Sequence, residues 1–545
     1  MFDQNKKNSY EAVCSFFAWE AARSLKPRSS EEHLLLASLW DHTDRGHLCL
    51  GPKSDLLRFA PHEKQLEKLI DAAEEYLSSS YCAFPSTRAD FPALPLCFWK
   101  GSLYLQRNWI DESRIIRNIR RLISAKSQNF LDLPDTRSAL FETLDAQQRQ
   151  ALLQVWKSPF SLIFGGPGTG KSYTIVALLE LFLRSHPDAQ IAVTAPTGKA
   201  VHQLSLRIGR VGGGRIVKKT LHALLGMKKD GSFPSSLSPL PYDLIVADES
   251  SMIGAHLMGR FLESIREKSR LILVGDPHQL PSVDAGSVFH DFKHTPLQAT
   301  YLEKAKRFET RDLSVFVSML EKPDQVNFRE FFEKSASLHF LSLDKISHPD
   351  TTVCTLLSKY LEQYSMINNA KSAFAFLARW QILATHIQGP FGVAFFNQHL
   401  LEYVSNLRKK VLYLPIITTE NNYVKSLYNG TLGVCVRHVN SPEKDHYLFQ
   451  EGKDLRELPA QPLGEKSGYL LAFCLSVHKS QGSEFDHVLL SLGQESASFG
   501  KKILYTAATR AKKSLQILGK EQAFSKILEQ DSWRDSLIQE EVASL

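Results

Sequence analysis

The feature that most restricts this chain is one apolar strand that runs straight into a glycine loop. Ser161-Leu162-Ile163-Phe164 is followed by Gly165-Gly166-Pro167-Gly168-Thr169-Gly170-Lys171-Ser172, and a helical pattern comes next. A G-x-x-x-x-G-K-S loop between strand and helix lets backbone N–H groups approach phosphate oxygens at a helix N-terminus. Lys171 then neutralises the β and γ charges of a nucleotide, and the Ser172 hydroxyl is a ligand for Mg²⁺. The same rhythm recurs at 190–200 (QIAVTAPTGKA), 242–251 (YDLIVADESS) and 270–282 (RLILVGDPHQLPS). Short apolar strands ending in polar turns and followed by helices specify an α/β fold with a parallel sheet covered by helices. Ligands bind at the carboxyl ends of such strands.

The second of these strands ends in Asp248-Glu249. Asp248 is expected to hold Mg²⁺, directly or through water, and Glu249 to orient and deprotonate the attacking water. A surface Asp-Glu pair is the competing reading, and the apolar strand in front of it argues against that. The third strand ends in Gly275-Asp276-Pro277-His278-Gln279. There Gln279 would contact the γ-phosphate or the water, although taken alone the segment is only a turn. Arg307 (in LEKAKRF) and Arg510 (in YTAATRA) are candidates to bring positive charge to the transition state. Isolated arginines are usually solvated, so their place in the ordered series of motifs carries that expectation.

At 545 residues the chain is too long for one core. Its net charge of +7 permits nucleic-acid binding without requiring it. The 7 cysteines include no C-x-x-C pair, so no zinc ribbon or four-cysteine cluster has a visible ligand set. No apolar run of ~18 residues predicts a membrane span, and the polar start Met1-Phe2-Asp3-Gln4-Asn5-Lys6-Lys7 lacks the apolar stretch of a secretion signal. A cytoplasmic location and no membrane partner are the expectation.

Residues 1–115 read as short amphipathic helices, for example Glu32 to Trp40, with a small β-like patch at Leu103-Tyr104-Leu105. They carry no phosphate loop, metal-ligand cluster or nucleophile–base pattern. Phe16, Phe17, Trp19, Trp40, Phe98, Trp99 and Trp109 are expected mostly in the core, with some free to form an exposed interface patch. Gly226 to Pro241 suits a small exposed hairpin or loop. Residues 409–469 hold short β-rich runs (VLYLPIITT, LGVCVRHV, HYLFQ) broken by Asn429-Gly430, which reads as a small inserted β-barrel.

The order of these motifs resembles superfamily 1 helicases, and their wording resembles the RecD family within it. The phrases that carry the resemblance are GGPGTGKS, TAPTGKA, GDPHQLPSVDAGSV, VHKSQGSEF and YTAATRA. Leu427-Tyr428-Asn429-Gly430-Thr431-Leu432-Gly433 adds to them, with Thr431 where those proteins usually have Asp. The resemblance implies that Gln148 reads adenine, which a carboxamide does by pairing with N6 and N7. It implies Tyr173 and Glu484 as further nucleotide contacts. It implies single-stranded DNA held through its phosphates by Thr197, Lys199, Thr220, His222 and His478, with a buried or capping histidine as the alternative for the last two.

By the same resemblance the fold is two RecA-like P-loop NTPase domains, a small helical N-terminal domain and an inserted SH3-like β-barrel. The expected divisions are 1–115 for partner docking, 116–300 for the first motor domain with its 226–241 insert, and 301–408 for the start of the second. The barrel takes 409–469 and the rest of the second motor domain 470–545. The cofactors would be ATP and Mg²⁺. The implied activity is 5′→3′ translocation on single-stranded and duplex-end DNA in double-strand break repair, with RecB-like and RecC-like subunits as partners. A stand-alone RecD-type helicase and an ATP-gated regulatory DNA-binding subunit are the alternatives. The D-x-K string Asp291-Phe292-Lys293 has no acidic partners and reads as accidental, so no nuclease centre is expected.

Overall fold

The computed structural model describes residues 16–545 apart from 52–69, 71–76, 78–79, 91, 126–133, 210, 229, 235–237, 304–308, 322–327, 346–356, 423–424, 426, 453 and 531–533. Arg307 therefore lies outside the described residues. No helix among those described is long and apolar enough to cross a membrane.

The N-terminal segment is not helical alone. Helices Phe16–Arg23 and Ser30–Asp44 lie with a four-stranded sheet of β1 (Cys49–Leu50), β2 (Cys82–Ala83), β3 (Leu96–Trp99) and β4 (Ser102–Leu105), in the order β1-β4-β3-β2. Strands of two to four residues are too short to display a period of two, which is why the sequence reads there as helix. Ser29 caps the second helix by accepting from Glu32 N at 3.1 Å. Among the described aromatics of this segment, Trp40 and Trp99 are half-buried and Phe84 is exposed. Phe98 and Trp109 are buried, and Trp99 meets Trp109 edge-on at 5.3 Å. The Arg88 guanidinium lies 4.2 Å from the centre of the Trp109 ring. The side chains of Phe16, Phe17 and Trp19 are outside the described set.

Helix Gln106–Ser124 joins this segment to the first motor domain. Its buried Ile115, Ile116, Ile119 and Leu122 follow helical spacing. This helix packs on helix Ala255–Ser264, where a Cβ added at Gly259 would lie 3.2 Å from Asp111 O, so glycine permits the close approach. Arg121 Nη2 then donates to Leu262 O at 3.0 Å and Ile265 O at 2.8 Å, at the far end of that helix. The domain's sheet is β5 (Phe160–Gly165), β6 (Ile191–Ala195), β7 (Ile216–Thr220), β8 (Leu244–Ala247), β9 (Arg270–Gly275) and β10 (Ala299–Leu302). All its pairings are parallel, in the order β10-β5-β9-β8-β6-β7. The 226–241 segment folds as a tight turn, with Lys228 N donating to Ser232 O at 2.9 Å. Among the described residues it forms no paired strands.

The second motor domain contributes β11 (Leu338–Ser342) and β12 (Trp380–Ala384) before the chain leaves for an antiparallel sheet. That sheet holds β13 (Val411–Thr418), β14 (Leu432–His438), β15 (His446–Glu451), β16 (Asp454–Pro459) and β17 (Tyr469–Leu471), in the order β16-β15-β14-β13-β17. The chain returns through β18 (Cys474–Ser476), β19 (Phe485–Ser491) and β20 (Ala511–Gly519), giving a parallel sheet β11-β20-β19-β12-β18. The inserted sheet shares its core with the domain. Leu414, Val434, Tyr447 and Phe449 pack in one cluster with Tyr364, Phe376 and Phe396.

After helix Glu521–Glu529 the chain crosses back to the first motor domain and the N-terminal segment. Arg534 Nη1 donates to the carbonyls of Ser282, Asp284 and Gly286 at 2.8, 2.8 and 3.1 Å. His42 Nε2 donates to Asp535 Oδ2 at 2.5 Å, and Asp535 N donates to His47 Nδ1 at 2.9 Å. Glu541 accepts from Arg88 Nη2 at 3.0 Å and from Trp99 Nε1 at 2.8 Å. Residues 534–545 thus lie apart from the rest of 470–545, held by these polar contacts and by Ile538 and Val542, which are buried in the core of the first domain.

Candidate nucleotide site and nucleic-acid face

β5 is buried at every position and delivers its carboxyl end to the glycine loop. The loop is built for a close approach. Cβ atoms at Gly165, Gly166 and Gly170 would lie 2.6, 3.1 and 2.6 Å from Thr169 Oγ1, Tyr505 Oη and Gln148 Nε2. Gly170 also has φ +89°, a left-handed conformation that glycine adopts without strain. Thr169 Oγ1 donates to Gly166 O at 2.8 Å. Lys171 Nζ folds over the loop, donating to Gly165 O at 2.6 Å and Gly166 O at 2.9 Å. Its charge therefore stands at the loop, close enough to act on the Asp248 carboxyl. Ser172 is half-buried on the following helix, and Tyr173 is exposed, its hydroxyl 2.8 Å from Thr143 Oγ1.

Gln148 performs a structural task. It closes a capping box with Asp145, whose side chain accepts from Gln148 N while Gln148 Oε1 accepts from Asp145 N at 3.1 Å. Its Nε2 is the end that faces the glycine loop.

At the end of β8, Asp248 is buried and accepts from Glu249 N at 2.9 Å. Burial pushes the Asp248 carboxyl up to about 6, the Glu249 charge adds to the effect and Lys171 opposes it. Glu249 has φ +51°, a conformation rare for a residue with a Cβ and often kept at functional sites. At the end of β9, Asp276 accepts from His278 N at 3.0 Å, from Gln279 Nε2 at 3.0 Å and from Tyr505 Oη at 3.2 Å. Gln279 is buried, and its Oε1 has no hydrogen-bond partner among the described residues. A buried amide oxygen left open beside a phosphate loop suits a ligand or water as partner.

The two motor domains meet through these same segments. Leu280 N donates to Thr506 Oγ1 at 2.8 Å, and Gln481 Nε2 donates to Leu280 O at 3.3 Å. Arg510 is buried on the second domain, donating through Nε to Thr506 O at 3.1 Å and through Nη1 to Ser483 O at 3.3 Å. Glu484 is exposed and pairs with Lys512 Nζ at 3.3 Å. Tyr505, Thr506, Gln481 and Ser483 were legible only as letters inside motif strings. Contacts across more than 200 residues leave no local pattern in the sequence.

On the other side of the sheet ends, Thr197 and Thr220 each cap a short or medium helix, accepting from Ala200 N at 3.2 Å and Ala223 N at 3.3 Å. Lys199 Nζ donates to Ser483 Oγ across the cleft, and Gln203 Nε2 donates to Gly482 O at 3.1 Å. Burial and the nearby Arg510 charge bring the Lys199 ammonium down to about 8. A Cβ at Gly198 would strike the Tyr428 ring. Burial also lowers His222 and His478, and the His478 ring lies 5.3 Å from Phe499. The structure thus brings Lys171, Ser172, Gln148, Asp248, Glu249 and Gln279 to the carboxyl ends of the first sheet's strands, with Arg510 on the facing domain. Tyr173, bonded to Thr143, and Glu484, paired with Lys512, make their contacts outside this group.

Comparison with known proteins agrees with this layout. Residues 148–285 match an AAA domain family model, and residues 471–518 match a UvrD-like helicase C-terminal domain. The chain is 29% identical over 468 residues to the RecBCD enzyme subunit RecD of Mycolicibacterium smegmatis, covering 79% of this chain and 80% of that protein. It is 28% identical over 533 residues to RecBCD enzyme subunit RecD of Haemophilus influenzae, covering 81% and 80%. It is 25% identical over 431 residues to the ATP-dependent RecD2 DNA helicase of Deinococcus radiodurans, covering 76% of this chain and 54% of that one. With the motif loops at the ends of two parallel sheets, the chain is similar along most of its length to RecD-type DNA helicases.

Proposed function

We propose that this chain is the RecD-type motor subunit of a RecBCD-like helicase–nuclease, moving 5′→3′ along single-stranded DNA from duplex ends in the cytoplasm. The observation that carries the motor reading is the continuous path between the domains. The Asp276–Leu280 segment touches Tyr505, Thr506 and Gln481, and the chain around Gln481 also meets Lys199 and Gln203. A change at the nucleotide loop and a change at the nucleic-acid face are therefore mechanically the same event.

The residues fit a magnesium nucleotide. The glycine cradle leaves room for phosphate where side chains would intrude, and Asp248 with Ser172 are oxygen ligands of the kind Mg²⁺ takes. Asp248 and Ser172 would hold Mg²⁺ there, whose charge would offset that of the phosphates. Lys171 turns from the loop carbonyls to the phosphates. Glu249 orients and deprotonates the attacking water, and Gln279, through its open oxygen, holds that water or the γ-phosphate. Arg510 and Arg307 supply positive charge as it is needed. Gln148 meets adenine through the Nε2 end, since its oxygen is engaged in the capping box.

Thr197, Lys199, Thr220, His222 and His478 line the strand's phosphates. For Thr197 and Thr220 the helix N-termini they cap supply the donors. The 411–471 sheet corresponds to an SH3-like insert, and the N-terminal segment is the docking module for RecB-like and RecC-like subunits. Polarity is tested by streptavidin displacement from biotinylated oligonucleotides. Displacement from the 3′ end alone supports 5′→3′ movement, and displacement from the 5′ end alone contradicts it.

A further inference from the structure

Between the glycine loop and the loop after β9 stands a side chain that belongs to neither. Tyr505 comes from helix Lys501–Ala508 of the second motor domain and is buried. Its hydroxyl reaches two parts of the first domain. A Cβ at Gly166 would lie 3.1 Å from Tyr505 Oη, so the glycine gives the hydroxyl room against the phosphate-binding loop. The same hydroxyl donates to Asp276 Oδ2 at 3.2 Å, just past the carboxyl end of β9. The next residue of the helix, Thr506, accepts from Leu280 N at 2.8 Å through its Oγ1. One turn of the second domain therefore grips the Asp276–Leu280 segment on both sides of Gln279.

Asp276 is wholly buried and fixes which way the Gln279 amide points. Its Oδ2, which takes the Tyr505 hydroxyl, also accepts from Gln279 Nε2 at 3.0 Å, and Oδ1 accepts from His278 N at 3.0 Å. An ionised carboxylate only accepts, so it selects the amino end of the amide and turns the oxygen away. That oxygen is the one left open among the described residues, on a side chain that is 4% exposed. An open carbonyl oxygen needs a donor. A fully ionised phosphate has no proton to give, whereas a water has two.

We propose that Tyr505 is a positioning residue for hydrolysis: its hydroxyl seats Asp276, and Asp276 turns the Gln279 oxygen towards the attacking water. This rests on the ATP-driven motor reading. Glu249 takes one proton of the water, Gln279 Oε1 accepts a hydrogen bond from the other, and a lone pair is left for the γ-phosphorus. Tyr505 itself exchanges no proton. Because the hydroxyl comes from the second motor domain, the seat of Asp276 is complete only while the two domains touch. The water is therefore held for attack when the cleft is closed and released from that hold when it opens.

The test measures phosphate release by the full chain, with and without saturating oligo-dT, beside its affinity for a fluorescent ATP analogue. Tyr505→Phe keeps the buried ring and removes the hydroxyl. Losing a hydrogen bond to a charged group should lower kcat roughly ten- to a hundredfold, while KM and the affinity for the analogue stay within about twofold of the parent. Gln279→Ala should lose at least as much. Adding Tyr505→Phe to Gln279→Ala should then cost no more than about a further twofold, because the hydroxyl acts through the amide. Losses that multiply in the double variant would overturn the proposal, since a tyrosine that only supports the fold acts independently of Gln279. A parental kcat in Tyr505→Phe would overturn it too. So would a loss of analogue affinity, which would tie the hydroxyl to the glycine loop instead of Asp276. A parent that hydrolyses ATP at a rate indifferent to DNA would count against the motor reading, and the same set of variants would then decide the role of Tyr505 on the basal rate.

Discussion

Arg88→Met is the perturbation that the fold makes most exacting. Arg88 Nη2 donates to Glu112 Oε1 at 2.7 Å and to Glu541 Oε1 at 3.0 Å, and Nη1 donates to Ser113 Oγ at 3.3 Å. Glu112 is fully buried, and without Arg88 it keeps only Tyr104 Oη at 2.9 Å and Leu537 N at 3.2 Å. Burial alone raises the Glu112 carboxyl, and the Arg88 charge is the largest influence against that. Removing one partner of such a pair costs about 3–5 kcal/mol, because the remaining charge is left uncompensated. That corresponds to roughly two to three and a half decades in the equilibrium for releasing the 534–545 strap. A chain of several domains does not unfold in one step, so hydrogen exchange of the strap is a better assay than a global melting point. The amides of Leu537 and helix Ile538–Ala543 should exchange faster by that factor, and Arg88→Met with Glu112→Gln should recover part of the loss. Exchange within threefold of the parent would refute the reasoning. The same geometry bears on docking experiments. Deleting residues 1–110 removes Arg88 and the buried Leu48 together, so it would damage the first motor domain along with any partner surface.

The nucleotide assignments make a paired prediction. Glu249→Gln should still bind ATP while turnover falls by roughly 10²-fold or more, whereas Lys171→Ala should lose both binding and turnover; parental hydrolysis by the Gln variant, measured by phosphate release, would remove Glu249 from its role. Acid should loosen the strap at His42. Burial brings His42 from 6.5 down to about 4, so the folded state binds the proton less readily than the unfolded one, and stability present at neutral pH is lost as pH falls from 6.5 towards 4, by up to about 3 kcal/mol. Strap exchange corrected for its intrinsic rate should therefore rise between pH 7 and pH 5, and a flat profile would contradict the assignment.

What could be read from sequence follows from how each element is buried. β5, β6, β8 and β9 are buried throughout, so their apolar runs stood out, and each ends in a motif that names its chemistry. β7 and β10 are the edges of that sheet. IVKKT and ATYL leave several residues towards solvent and carry too little apolar signal to be noticed. The three inserted runs emerged as β13, β14 and β15 because each carries a continuous buried stretch of apolar and β-branched residues, yet their fusion with the core of the second domain had no local signature. Helix caps explain the remaining shortfall. Thr197, Thr220 and Gln148 satisfy backbone groups in the same positions where family resemblance assigns ligand contacts, and sequence cannot separate those tasks. The return of residues 534–545 to the N-terminal segment depends on buried Arg88 and His42 and half-buried Asp535, which as isolated letters are ordinary surface residues.

The central claim is that the nucleotide loop and the nucleic-acid face work as one machine. Steady-state ATP hydrolysis by the full chain, with and without saturating single-stranded DNA, tests it most directly. The account predicts clear stimulation by DNA that weakens steeply as salt is raised, because phosphate contacts dominate the binding. An active preparation whose rate is unchanged by saturating DNA would contradict it, and would favour an ATP-gated binding subunit that does not translocate.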